Sequence, residues 1–173
     1  GSTVDYFITL IEESEYAREA SKLAYATVGS NSDDGTKYFV FDGSKESYAR
    51  FADDEYLRPN DWIVVRANVR VSKEDKKKDM LIFGKLTDDC STHLYTLRTV
   101  DNYYVFTITI DGEKYTVTSS DTVQGDEWVQ LMGVYDGNQV SFYVAQEKQT
   151  ETQEVTGELQ WSEDATEHNP LTF

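Results

Sequence analysis

The segment from Trp128 to Val144, WVQLMGVYDGNQVSFYV, constrains the fold more than any other stretch of the chain. Apolar residues alternate on both sides of Asp136-Gly137-Asn138, and Asp-Gly favours the left-handed backbone angles of a tight hairpin turn. Such a unit commits the chain to antiparallel sheet. The same alternation recurs from Trp62 to Val71: Ile63, Val65, Ala67, Val69 and Val71 share one face, and Arg66, Asn68 and Arg70 the other. One face belongs to a core and the other to water. Thr92 to Val100 and Tyr103 to Ile110 flank Asp101-Asn102 as a further hairpin, with Tyr104, Phe106, Ile108 and Ile110 on one side. Asp111-Gly112 then turns the chain into Lys114 to Thr118.

The remaining segments read less sharply. Lys37 to Phe41, the turn Asp42-Gly43-Ser44 and the return run Tyr48 to Phe51 read as an early hairpin. Ser72 to Asp79 holds no apolar residue and reads as an exposed loop before Met80 to Lys85. Val4 to Ile11 is apolar and β-branched enough for a strand. Glu12 to Ala26, with alanines at 17, 20, 24 and 26, reads as one short helix. Gln146 to Glu154 reads as a long loop, Leu159 to Trp161 as a short strand, and Pro170 to Phe173 as the start of another. The expected fold is all-β: an antiparallel β-sandwich of the jelly-roll kind, with a short helix near the N terminus. No internal repeat or linker divides residues 1–173, so a single domain is expected.

At this length, roughly 70% of the unfolded chain's surface can be buried on folding. The single cysteine, Cys90, cannot form an intramolecular disulfide and sits beside Asp88 and Asp89, which disfavour its thiolate. Packing and hydrogen bonds must hold the fold. With 16 basic and 32 acidic residues the net charge is −16, which opposes attraction to nucleic-acid phosphates and anionic lipid. No apolar run is long enough for membrane insertion as a helix.

Three ordered stretches, YFVFDGSKESYARF from Tyr38 to Phe51, then Trp62 to Val71, then Trp128 to Val144, resemble the laminin-G-like branch of the concanavalin A-like jelly rolls. That resemblance implies the sandwich more strongly than any function, because the same sandwich hosts lectins, adhesion modules, pentraxins and hydrolases. In the family a final strand carrying an Ile-Asp-aromatic pattern and a short helix follow the point where this chain stops. Val4-Asp5-Tyr6-Phe7 is similar to that strand. Two arrangements are therefore open: a circular permutation that pairs Val4 to Ile11 near Pro170 to Phe173, or an ordinary extra N-terminal strand.

Catalytic chemistry is not expected. Glucan-cleaving enzymes of this fold carry alternating carboxylates on one strand, and no such strand occurs here. The histidines His93 and His168 lack metal-ligand spacing, and neither a GxSxG elbow nor a phosphate loop is present. The resemblance implies calcium as the cofactor, which takes 6 to 8 oxygens. Asp101-Asn102 is similar to an Asp-Asn pair of the pentraxin subgroup, and Glu163-Asp164 falls where that subgroup has further acidic ligands. A turn preference for Asp-Asn is the simpler explanation of the first pair.

Sugar rings stack on exposed aromatic faces while amides and carboxylates take the hydroxyls. Tyr95, Asn102, Tyr103 and Trp161 fit that description, whereas Trp62 and Trp128, each opening an apolar strand, are expected in the core. The expected role is a recognition module of a larger extracellular or cell-surface protein, binding glycan. A surface protein is the alternative partner, and a hydrolase or lyase with converging loop carboxylates the third reading.

Overall fold

The computed structural model describes residues 20–24, 27–42, 47–51, 57–86, 92–159 and 171–173. Fourteen strands follow one another: β1 (Ala20–Ala24), β2 (Thr27–Ser30), β3 (Lys37–Val40), β4 (Tyr48–Phe51), β5 (Ile63–Arg70), β6 (Met80–Leu86) and β7 (His93–Val100), then β8 (Tyr103–Ile110), β9 (Glu113–Thr122), β10 (Trp128–Tyr135), β11 (Gln139–Val144), β12 (Glu147–Lys148), β13 (Gln153–Glu154) and β14 (Leu171–Thr172). A seven-stranded sheet runs β1-β4-β14-β6-β7-β8-β9, and a five-stranded sheet runs β12-β11-β10-β5 with β13 also on β11. β2 and β3 form a separate two-stranded ribbon.

The turns form where the local chemistry requires them. Asp101 and Asn102 both adopt positive φ, 49° and 70°, and Asp111-Gly112 does the same at 48° and 79°. These are the angles of two-residue hairpin turns. At the β10–β11 turn Gly137 has φ 91°, and Asp136 Oδ1 accepts from the N–H groups of Asn138 and Gln139 at 2.9 and 2.8 Å. Ser72 to Asp79 is the loop its composition implies, with Lys78 and Ser72 on the Asp75 carboxylate, holding it below the ordinary range.

The two large sheets meet face to face. Tyr95, Leu97, Phe106, Ile108 and Val117 from one enclose the core with Ile63, Val65, Leu131, Tyr135 and Phe142 from the other. The rings of Phe106 and Phe142 touch across the interface, centroids 6.2 Å apart. Tyr135 is buried and donates its hydroxyl to the Gly157 carbonyl at 2.5 Å, which ties β10 to the segment after β13. Burial pushes the phenol of Tyr104 up to about 12, with Glu127 adding to the effect. Its hydroxyl stays neutral at physiological pH.

Several expectations give way here. Ala20–Ala24 is strand rather than helix, because pairing with β4 overrides the local helix propensity of its alanines. The rest of the expected helix, and the Val4 to Ile11 strand, lie outside the described residues. The expected hairpin from Lys37 to Phe51 is not formed. β3 pairs with β2, while β4 pairs with β1 and β14 in the seven-stranded sheet. Asp42 donates its N–H to Ser47 Oγ at 3.1 Å, and the expected turn residues Gly43 and Ser44 lie outside the described residues. Gln146 to Glu154 is not wholly loop, since it contains β12 and β13. Leu159 is buried without joining a strand and donates its N–H to the Asn60 carbonyl. No helix among the described residues is long and apolar enough to cross a membrane.

His93, at the start of β7, supplies a pH test. Burial, with Arg98 and Lys114 adding positive charge, holds its imidazole below the ordinary 6.5. The unfolded chain therefore binds more protons at this site. Its contribution to stability is complete above 6.5 and is lost as pH falls below 6.5 toward the folded value. The H93Q variant will show a shallower fall in melting temperature just below pH 6.5. An unchanged profile would assign the acid limb to carboxylates alone.

Candidate functional site

The outer face of the five-stranded sheet is the most aromatic exposed surface among the described residues. Its composition follows from strand parity. Ile63 and Val65 point inward and are buried, so Trp62, Val64, Arg66, Asn68 and Arg70 point outward. On β10 the register sets Trp128 opposite Arg70, Gln130 opposite Asn68, Met132 opposite Arg66 and Val134 opposite Val64. On β11, Tyr143 faces Met132 on one side and Lys148 of β12 on the other. These residues form one continuous face.

Trp62 is 64% exposed and Trp128 47%, so both tryptophans leave the core expected for them. The apolar character of the strands they open says nothing about their own side. Trp62 shares parity with Arg66, and Trp128 with Gln130. Continuing the register places Trp62 beside Asp136, eight positions along β10 from Trp128, or about 26 Å at the rise of a strand. The tryptophans mark opposite ends of the face. Tyr38 of β3 meets Trp128 edge-on, centroids 5.1 Å apart at 70°. Gly29 makes that possible, because a Cβ there would lie 2.4 Å from the Tyr38 ring.

Between the tryptophans the polar groups of β5 and β10 are amides and cations, with Asp136 beside Trp62 at one end. Gln130 Nε2 lies 3.5 Å from Asn68 Oδ1, a long contact that leaves both amides available to a ligand. Arg70 Nε donates to the Asp126 carbonyl at 3.1 Å. Arg66, Arg70 and Lys148 bring positive charge to one face of a chain whose net charge is −16.

The residues singled out from sequence are not brought together. Tyr95 is 2% exposed, in the core, with its hydroxyl donated to the Leu57 carbonyl at 2.9 Å. Its ring is not a surface platform, because it shares parity with Leu97 on the inner face of β7. Asn102 and half-buried Tyr103 lie at the other end of the β7–β8 hairpin. Trp161, Glu163 and Asp164 lie outside the described residues.

At that turn the Asp101 N–H donates to Asp79 Oδ1 at 2.9 Å, and the Asn102 carbonyl accepts from Val123 at 2.8 Å. Asn102 Oδ1 is buried with no hydrogen-bond partner, the one acceptor there that suits a cation. Asp79, Asp101 and Asn102 supply side-chain oxygens at this turn, and among the described residues no group of three or more His, Cys, Asp or Glu is placed for a metal.

A family model described as the concanavalin A-like lectin/glucanases superfamily, of laminin G type, matches residues 41–169. The chain belongs to this superfamily. No curated protein sequence matches it. Among solved structures, the binding domain of Paraclostridial Mosquitocidal Protein 1 is similar with a TM-score of 0.65 at 9% identity over 90% of this chain and 39% of that one. The botulinum neurotoxin serotype G binding domain is similar at 0.59 and 10% identity, over 92% of this chain and 42% of that one. Mouse laminin α1 domains LG4-5 give 0.51 at 12% identity, over 67% of this chain and 30% of that one. This member of the superfamily thus spans less than half of each of those chains. At such identities the likeness establishes the shared sandwich alone.

Proposed function

We propose that this domain is a non-catalytic recognition module of a larger extracellular or cell-surface protein. Its ligand is a glycan, bound along the outer face of the five-stranded sheet. The observation that carries this reading is the pair of exposed tryptophans at the two ends of one face, with Asn68, Gln130, Arg66 and Tyr143 between them. Rings stack sugar faces, amides exchange hydrogen bonds with hydroxyls, and arginines bind carboxylate or sulfate groups. The spacing suits an extended oligosaccharide better than a single ring. Between the two tryptophans the outward residues of β5 and β10 include no carboxylate, so no glycosidase acid and nucleophile pair lies on those two strands. Domains of the same fold are described as toxin binding domains, which agrees with a binding role.

Exposed Val64, at 51%, beside Val134 and Met132 favours a second reading, an adhesion contact with a protein. A glycan array separates the two. On the glycan reading, W62A and W128A will each weaken binding to the selected oligosaccharide about tenfold or more, equivalent to about 1.4 kcal/mol. Absence of any glycan ligand, or full binding by both variants, would remove this reading in favour of the protein contact.

A further inference from the structure

β5 is the outermost strand of the five-stranded sheet among the described residues, with β10 on one side only. Every second residue of an antiparallel strand directs its N–H and C=O to the same side, so half of the main-chain groups of β5 face away from β10. Along that free edge runs a groove of about 830 Å³. Five successive residues, Trp62 to Arg66, border it, so the strand edge itself forms a wall. The wall facing β5 carries Phe83, Tyr95, Leu171 and Phe173 on the inner side of the seven-stranded sheet, while Leu57 to Asp61, with Arg58 and Asp61 as one charge of each sign, close one end. Phe83 and Phe173 stack there with centroids 5.3 Å apart, and Tyr95 is fixed by its bond to the Leu57 carbonyl.

From this arrangement we infer that the edge of β5 is a binding site for an extended peptide, which adds to the sheet as a further strand. Main-chain hydrogen bonds to β5 supply affinity in this mode, and alternate side chains supply specificity. Inward side chains of the peptide meet the apolar wall and must be apolar. Outward side chains lie beside Val64, Arg66, Asn68 and Arg70, among which there is no carboxylate. Arg66 makes no ion pair among the described residues, and Arg70 bonds only to a carbonyl.

Opposite charges across adjacent strands stabilise pairing, and like charges destabilise it. The outward residues of the peptide are therefore acidic. The same charges disfavour a second copy of this chain, since β5 paired with β5 would gather four arginines on one face with no carboxylate between them. Charged side chains also keep an edge strand from indiscriminate pairing. Here they restrict it to one partner chemistry. This site borders the proposed glycan face at Trp62, Arg66 and Asn68 but differs from it in using the backbone edge and the space between the sheets, and it does not include Trp128.

Four blocked nine-residue peptides test the inference. One alternates Glu with Val or Phe, and a second replaces each Glu by Lys. The other two are the Glu peptide N-methylated at every second residue, on one edge or on the other. Binding is read by amide exchange on β5 and by Trp62 fluorescence. The Glu peptide will bind and slow exchange of the β5 amides. The Lys peptide will bind at least tenfold more weakly, and only one of the N-methylated pair will lose binding. The R66E/R70E double variant will reverse the Glu and Lys preference.

Equal binding by both N-methylated peptides, protection elsewhere than β5, or no binding by the Glu peptide would overturn the inference. So would β5 edge amides that are already fully protected in the free chain, or dimerisation through β5 in sedimentation. Loss of glycan binding in W128A with retained peptide binding, or the reverse, separates the fate of this site from that of the glycan face.

Discussion

The F106A variant will lose about 3–5 kcal/mol of folding stability, the usual cost of emptying a buried aromatic site. Phe106 is fully buried on the inner face of β8, at the centre of the contact between the two sheets. It pairs in register with Leu97 and Val117, and its ring meets Phe142 of the opposite sheet. Removing it leaves those neighbours facing a void that strands locked by their ladders cannot collapse to fill. Domains are stable by only about 5–15 kcal/mol, so this one change takes a large share. Urea denaturation measures it through the shift in midpoint at constant slope. A loss below about 1 kcal/mol would mean that the sheets do not meet at Phe106.

Gly133 predicts the complementary effect. It sits on the inner face of β10, opposite Val65 and Phe142, where every neighbour in register carries a side chain. A Cβ built there would lie 2.5, 2.6 and 2.7 Å from three ring carbons of Phe106. That ring is buried and cannot swing into solvent. G133A will therefore cost about 1–3 kcal/mol through overpacking, although alanine is otherwise no worse than glycine in a strand. The two positions must couple. In the F106A background the added methyl group has room, so G133A will there be neutral or stabilising, and the double-mutant cycle will show a large interaction. Additive losses would show that the ring does not occupy the space above Gly133.

Much of this core was legible because it is written in local signals. Tyr104, Phe106, Ile108 and Ile110 alternate with period two and are all buried, although Val105 and Thr107 on the other side of β8 are buried as well. The turns at Asp101-Asn102, Asp111-Gly112 and Asp136-Gly137 fall where short polar residues and glycine tolerate positive φ. The candidate face was legible only in part. Trp62 and Trp128 were assigned by the apolar company they keep, whereas parity along their own strands, with Arg66 and Gln130, already set them outside. Tyr95 shows the converse: a tyrosine has no surface preference of its own, and parity with Leu97 took it inward.

The sequence alone determined which segments become strands from β5 to β11, which side of β5 and of β8 faces the core, and where the hairpins turn. Backbone sterics and side-chain alternation act over two to four residues and need no distant partner. Tertiary structure decided the rest. β4 leaves the hairpin its turn residues suggest and pairs with β1 and β14, and β14 slots between β4 and β6 from the far end of the chain. Ala20–Ala24 becomes strand by the same pairing. The face bearing Trp62, Trp128 and Tyr143 exists only because β5, β10 and β11 align in one register. Such pairings depend on contacts between segments distant along the chain, and a strand's own residues do not encode which neighbour it will meet.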